Sequence, residues 1–306
     1  MGRYAYVLLK ALTKTGLQIG IKANFSFLSR LDKYKKLLLR ENFKIISDSV
    51  QHSDSIKFSA SGKEVRVVSA EPLAPIKFNN TCFPFPYMMH PRIYELGYDL
   101  KSVELRNNPR KGKILFAGNA EKKNYSGGNV ATFYQKTTRY GILTFLEKHS
   151  LLNVKVIKDK SDFTQDVYAN QLTIARSQAF KIPFEEWLPT LGLFDFFLAC
   201  PGSDMPMCHN VIEAMSVGSI PIVEYPEYFH PALEHGKNCI VFNGKEDLVS
   251  QLQGVINMDQ QAIDTLRRGT ITYYDNYLKP EVWVSKMVDP NTEITELVFN
   301  AWKVRD

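Results

Sequence analysis

The residues best suited to chemistry fall in one stretch, Phe194–Glu224, which reads FDFFLACPGSDMPMCHNVIEAMSVGSIPIVE. Its pattern is an apolar strand, a loop containing Pro201, Gly202, Ser203 and Pro206, a helix over about 209–217, a stop at Gly218 and a second apolar strand. The start of such a helix presents unpaired N–H groups and the positive end of its dipole, so it can hold a diphosphate without a metal. Gly202 lets the backbone approach closely, and Ser203, His209 and Asn210 can donate hydrogen bonds. Glu213 lies one turn into the helix. There its carboxylate is expected to accept from two ribose hydroxyls, the part an acidic residue plays beyond a phosphate-binding turn in dinucleotide folds.

The elements that must position these groups alternate between helix and strand along most of the chain, which predicts an α/β fold with parallel sheets. Tyr4–Thr15 has helical periodicity and ends at Gly16, and a second helix runs from Ser26 to about Glu41. Strands are predicted at Leu17–Ala23, Lys44–Ser47, Glu64–Ala70 and Thr81–Tyr87. Leu100–Gly112 is polar, carries Asn-Asn-Pro and reads as a linker. Beyond it the pattern restarts with a strand at Lys113–Ala117, a helix at Thr132–His149 and a strand at Val154–Ile157. Further helices are expected near Phe184–Thr190, Glu246–Ile256, Gln260–Tyr274, Glu281–Met287 and Thr292–Trp302. The expected units are residues 1–105, 106–290 and a C-terminal helix in 291–306 that packs back on the first unit. A doubly wound unit should open on a strand, whereas this chain opens on a helix. Either that first strand is absent or the chain is a piece of a longer protein.

The central segment resembles the donor-binding core of GT-B glycosyltransferases, and most closely the exostosin-type family. The residues carrying the likeness are Cys200-Pro201-Gly202, Ser203-Asp204-Met205-Pro206, Glu213-Ala214-Met215, Gly218 and Ile220-Pro221-Ile222. KILFAGN, ending in Gly118 and Asn119, and Arg139 on the following helix are similar to the first donor-domain strand and its phosphate-contacting arginine. The resemblance covers about residues 110–245. It implies two Rossmann-like domains facing across a cleft, the N-terminal one small. It also implies a metal-independent, inverting transfer of a sugar from a nucleotide-sugar donor to a glycan or other hydroxyl acceptor. Lys122 and Lys123 join Arg139 as expected partners of the diphosphate. Related retaining families place a glutamate eight residues before the second one, and here that position is Met205.

An inverting enzyme needs a base for the acceptor hydroxyl. Glu71, before Pro72 and after strand EVRVVSA, resembles the base-carrying segment of α1,3-fucosyltransferases. Asp48, His52, Asp54 and His90 are further candidates, and His90, preceding Pro91, reads equally as a turn residue.

Composition narrows the remaining classes. With 44% hydrophobic and 23% charged residues in 306, the chain has enough apolar material for packed domains. The net charge of +6 is spread along the chain without the Lys/Arg stripe of a nucleic-acid binder. No apolar run approaches a membrane span, and no Asp-x-Asp metal motif occurs. Cys82, Cys200, Cys208 and Cys239 lack ligand spacing and read as reduced thiols of a cytoplasmic protein, so neither cofactor nor metal is expected. Two other readings stay open: a nucleotide-sugar epimerase of the same fold, and a degenerate, non-catalytic transferase module of a larger glycan-synthesis protein.

Overall fold

A computed structural model describes residues 2–14, 16, 20–21, 33–38, 40–41, 44–45, 58–59, 66–70, 81–163, 168–289 and 291–299. The chain is α/β, and among the described residues every strand pairing is parallel. Strands β1 (Gly20–Ile21) and β2 (Lys44–Ile45) form a two-stranded pair. Strands β3 (Phe58–Ser59), β4 (Arg66–Ala70) and β5 (Cys82–Phe85) belong to a four-stranded sheet. The larger sheet holds β6 (Gly112–Gly118), β7 (Val154–Val156), β8 (Tyr168–Arg176), β9 (Phe194–Leu198), β10 (Ile220–Val223) and β11 (Ile240–Val241). Its spatial order is β11-β10-β9-β6-β8-β7. The last strand, β12 (Glu296–Phe299), lies between β4 and β5.

Both faces of the large sheet are covered, which is why its central strands β6, β9 and β10 are mostly apolar. In β6, Ile114 and Phe116 join a cluster with Ile142, Leu146, Leu252 and Leu266, from three helices on one face. Leu115 and Ala117, one residue out of step, point to the other face and a cluster holding Val211, Met215, Leu188 and Trp283. That second cluster is continuous with Met89, Ile93, Tyr94 and Tyr6 from the first hundred residues and with Leu297 of β12.

Three expectations are corrected. Residues 100–105 are not linker, because Tyr98–Leu105 is a helix that buries Asp99 and Ser102. The long strand β8, between β6 and β7, had no counterpart in the sequence pattern. The predicted helix at Thr292–Trp302 gives way to a strand over Glu296–Phe299, because β4 and β5 leave a ladder position that only an extended segment fills. The segment does return to the first sheet, as part of it.

Leu297 is fully buried at the middle of that insertion. Leu297→Ala is expected to lower the urea unfolding free energy by about 2–4 kcal/mol. Leu151→Ala, at a side chain 68% exposed, should change it by less than about 0.5 kcal/mol.

Candidate functional site

The chain leaves β6 toward β7 at one edge, returns to β8 and then crosses to β9 on the far side of β6, continuing outward to β10 and β11. The direction of winding therefore reverses between β6 and β9. In open parallel sheets, that reversal opens a crevice outside the carboxyl ends of the two strands. The residues singled out in the sequence meet there: Gly118 and Asn119 end β6, Gly202 and Ser203 follow β9, and His209 opens the helix His209–Ser216.

Arg139 is buried where the loops after β6 and β9 meet. Its guanidinium donates from Nε to the Pro201 carbonyl (2.9 Å), from one terminal nitrogen to Asn119 (2.8 Å) and from the other to Cys200 (3.3 Å), and it lies 4.2 Å from the Tyr125 ring centroid. The fork thus joins the loops after β6 and β9. The expectation of a phosphate-contacting arginine is corrected: each of the three guanidinium nitrogens donates to a main-chain oxygen of a buried junction. Asn210 likewise donates to the Ala117 carbonyl (3.2 Å) from a buried position. Gly118 has φ +145, and a Cβ there would stand 3.1 Å from the Asn210 amide nitrogen. Gly202 permits a close approach of a different kind from the one expected. A Cβ would meet the Met205 carbonyl oxygen at 2.5 Å, and its N–H donates to Pro206, so the loop closes on itself.

Glu213 is the most enclosed group of the set, with no exposed surface. Its Oε1 accepts from the His90 amide (2.7 Å) and meets Nδ1 of His209 at 2.8 Å, and its Oε2 accepts from the Trp187 indole (2.6 Å). Burial raises its pKa, but the attraction of His209 and the hydrogen bonds from His209, the His90 amide and Trp187 outweigh that, leaving the carboxyl below its ordinary value. The expected grip on a ribose is therefore replaced by a junction of three protein segments. A second buried carboxylate, Glu224 after β10, accepts from Thr137 N (2.6 Å), Thr137 Oγ1 (2.7 Å) and Gly244 N (3.0 Å), a role that sequence reasoning missed.

Among the described residues of these loops and of the helix start, those that reach solvent are few. Asn119, Ser203 and His209 are partly exposed, and the start of the helix at His209 has no side-chain cap. Ser203 Oγ donates to the exposed Asp204 (3.0 Å). Lys123 pairs with Glu121 (3.3 Å), and Lys122 sits 6.0 Å from the Tyr140 ring. His90 N-caps the helix Pro91–Glu95 through Nδ1, as a turn residue would, and its ring lies 5.3 Å from that of His209. Glu71, Asp48, His52 and Asp54 lie outside the described residues. All four cysteines are free. Among the described residues no cluster of three metal-ligating side chains occurs, and no helix is long and apolar enough to cross a membrane.

No family model matches the chain, and no curated protein does. Among solved structures it is similar to the N-terminal domain of trehalose-6-phosphate phosphatase from Candida albicans, at 11% identity and a TM-score of 0.36. The match covers 63% of this chain and 43% of that one, and a likeness of this size carries no argument about activity.

Two outcomes follow from the buried charges. Arg139→Lys keeps the charge but cannot bridge three carbonyls, and should lower the unfolding free energy by roughly 2–3 kcal/mol in urea titration. Glu213 stabilises the fold only while ionised. Because its folded pKa is depressed, that contribution is complete above the ordinary carboxyl value of 4.5 and is lost as pH falls through the lower, folded value. The stability gap between the wild type and Glu213→Gln, followed by urea unfolding at a series of pH values, should therefore narrow below that point. A gap that is constant with pH would contradict the assignment.

Proposed function

We propose that this chain is a glycosyltransferase that takes its sugar from a nucleoside diphosphate and passes it to a hydroxyl acceptor. The observation that carries the reading is the meeting of Gly118, Asn119, Ser203 and the uncapped helix start at His209 where the large sheet reverses its winding. Main-chain amides at a helix start stabilise the charge that grows on a departing diphosphate. In the reaction the acceptor oxygen bonds to the anomeric carbon as the bond to the diphosphate oxygen breaks, its electron pair leaving with the diphosphate. The proposal needs neither a metal nor an organic cofactor. Its acceptor is a glycan or another hydroxyl compound, and its setting is cytoplasmic. The acceptor proton needs a base, and Glu71, expected in that role, lies outside the described residues.

One observation favours a second reading, a binding module derived from a transferase. The helix that should face the donor is sealed by Glu213 and by a core shared with Met89, Ile93 and Tyr94. The two readings part on turnover. Incubation with UDP- and GDP-linked sugars, with and without simple glycosides, should release nucleoside diphosphate faster than the blank and transfer sugar when the matching acceptor is present. Binding of a nucleotide sugar with no release over many hours would favour the module, and interconversion of the sugar would favour an epimerase.

A further inference from the structure

We infer that His209 is a positioned imidazole, held by Glu213 in the tautomer protonated at Nδ1 so that Nε2 receives the proton of a hydroxyl bound in the crevice. This rests on the transferase reading for the identity of the hydroxyl, but not for the geometry. His209 and Glu213 are four residues apart and so lie on one face of the helix His209–Ser216. Their 2.8 Å contact uses Nδ1. The carboxylate is fully buried, whereas the imidazole side chain is 32% exposed. Nδ1 is therefore turned inward. Nε2 has no hydrogen-bond partner among the described residues.

A carboxylate that merely ended a helix would be free to rotate. This one is pinned: the Trp187 indole holds Oε2 and the His90 amide shares Oε1. A fixed anion behind an imidazole selects the Nδ1–H form and stabilises the imidazolium that proton uptake creates. The groups facing the ring are thus Glu213 on its own helix and His90, 5.3 Å away, from the segment that follows β5. In the step, the acceptor oxygen bonds to the anomeric carbon and its proton passes to Nε2. The carbon–oxygen bond to the diphosphate breaks, and the electron pair leaves with the diphosphate. His209 is then the catalytic residue, and Glu213, acting through it, a positioning residue.

Two measurements on the full chain test this. Nitrogen-15 NMR of the histidine rings, with His209 assigned by its loss in His209→Gln, should show the Nδ1–H tautomer at neutral pH and a shift toward Nε2–H in Glu213→Gln. An Nε2–H ring in the wild type overturns the inference, whether or not the chain transfers sugar. With UDP-glucose and GDP-mannose as probes, His209→Gln should lower kcat for hydrolysis by about 10²–10⁴-fold while UDP or GDP affinity stays within about threefold. Undiminished kcat in that variant also overturns it. If the wild type turns over neither probe but shows the Nδ1–H tautomer lost in Glu213→Gln, the transferase reading fails and the positioned imidazole stands.

Discussion

The arrangement depends on keeping one carboxylate ionised where water cannot reach it. Glu213 is without exposed surface, and an unpaired charge at such a depth costs several kcal/mol. Three donors meet it, each from a different place in the sequence: the amide of His90, the indole of Trp187 and the ring of His209. The amide of His90 is 123 residues distant. The same contact that neutralises the charge therefore fixes the end of the segment after β5 against the helix after β9. Arg139 does the converse with a buried cation, collecting the carbonyls of Asn119, Cys200 and Pro201 beyond the ends of two strands.

These two buried charges fix the loops at the ends of β6 and β9. Chain reversal between β6 and β9 opens a gap but says nothing about the course of the loops that border it. Arg139 ties the borders together, and Asn210 and Gly118 pack against each other below them. Glu224 adds a third tie by holding Thr137 and Gly244, so that the helix carrying Arg139 begins at a set position. Arginine, asparagine and glutamate at such a place look like ligand-binding residues in one dimension. In three dimensions they serve the frame, bonded to main-chain groups.

The large sheet was legible because its strands are buried on both faces: KILFA, FDFFLAC and IPIV are runs that few other structures accommodate. Strand β8 was not, since Asn170, Gln171 and Thr173 interrupt its apolar residues. Yet Thr173 is fully buried and Gln171 nearly so, which only the neighbours β6 and β7 reveal. For Glu296–Phe299 the helical spacing of the surrounding residues was a local preference overruled by a ladder more than 200 residues upstream. Part of the neighbourhood was legible: Arg139 bonds to Asn119 and to the two carbonyls before Gly202, and Asn210, on the helix that carries His209 and Glu213, bonds to Ala117 beside Gly118. Their roles were not legible, because whether a polar group faces a ligand or a carbonyl depends on burial, and burial comes from elements far apart in the sequence.

That division between frame and working group bears on His209. A side chain can act on a ligand only if some of its polar atoms remain uncommitted, and it can act with a defined orientation only if others are committed. Glu213 fails the first condition, since both of its oxygens are taken by protein donors. His209 meets both, with one ring nitrogen fixed by a buried anion and the other beside solvent. Imidazole is the side chain that allows this split, because its two nitrogens are chemically coupled: fixing a proton on one makes the other an acceptor. The helix start, the pinned carboxylate and the aromatic donor behind it thus converge on a single atom, Nε2, at the mouth of the crevice.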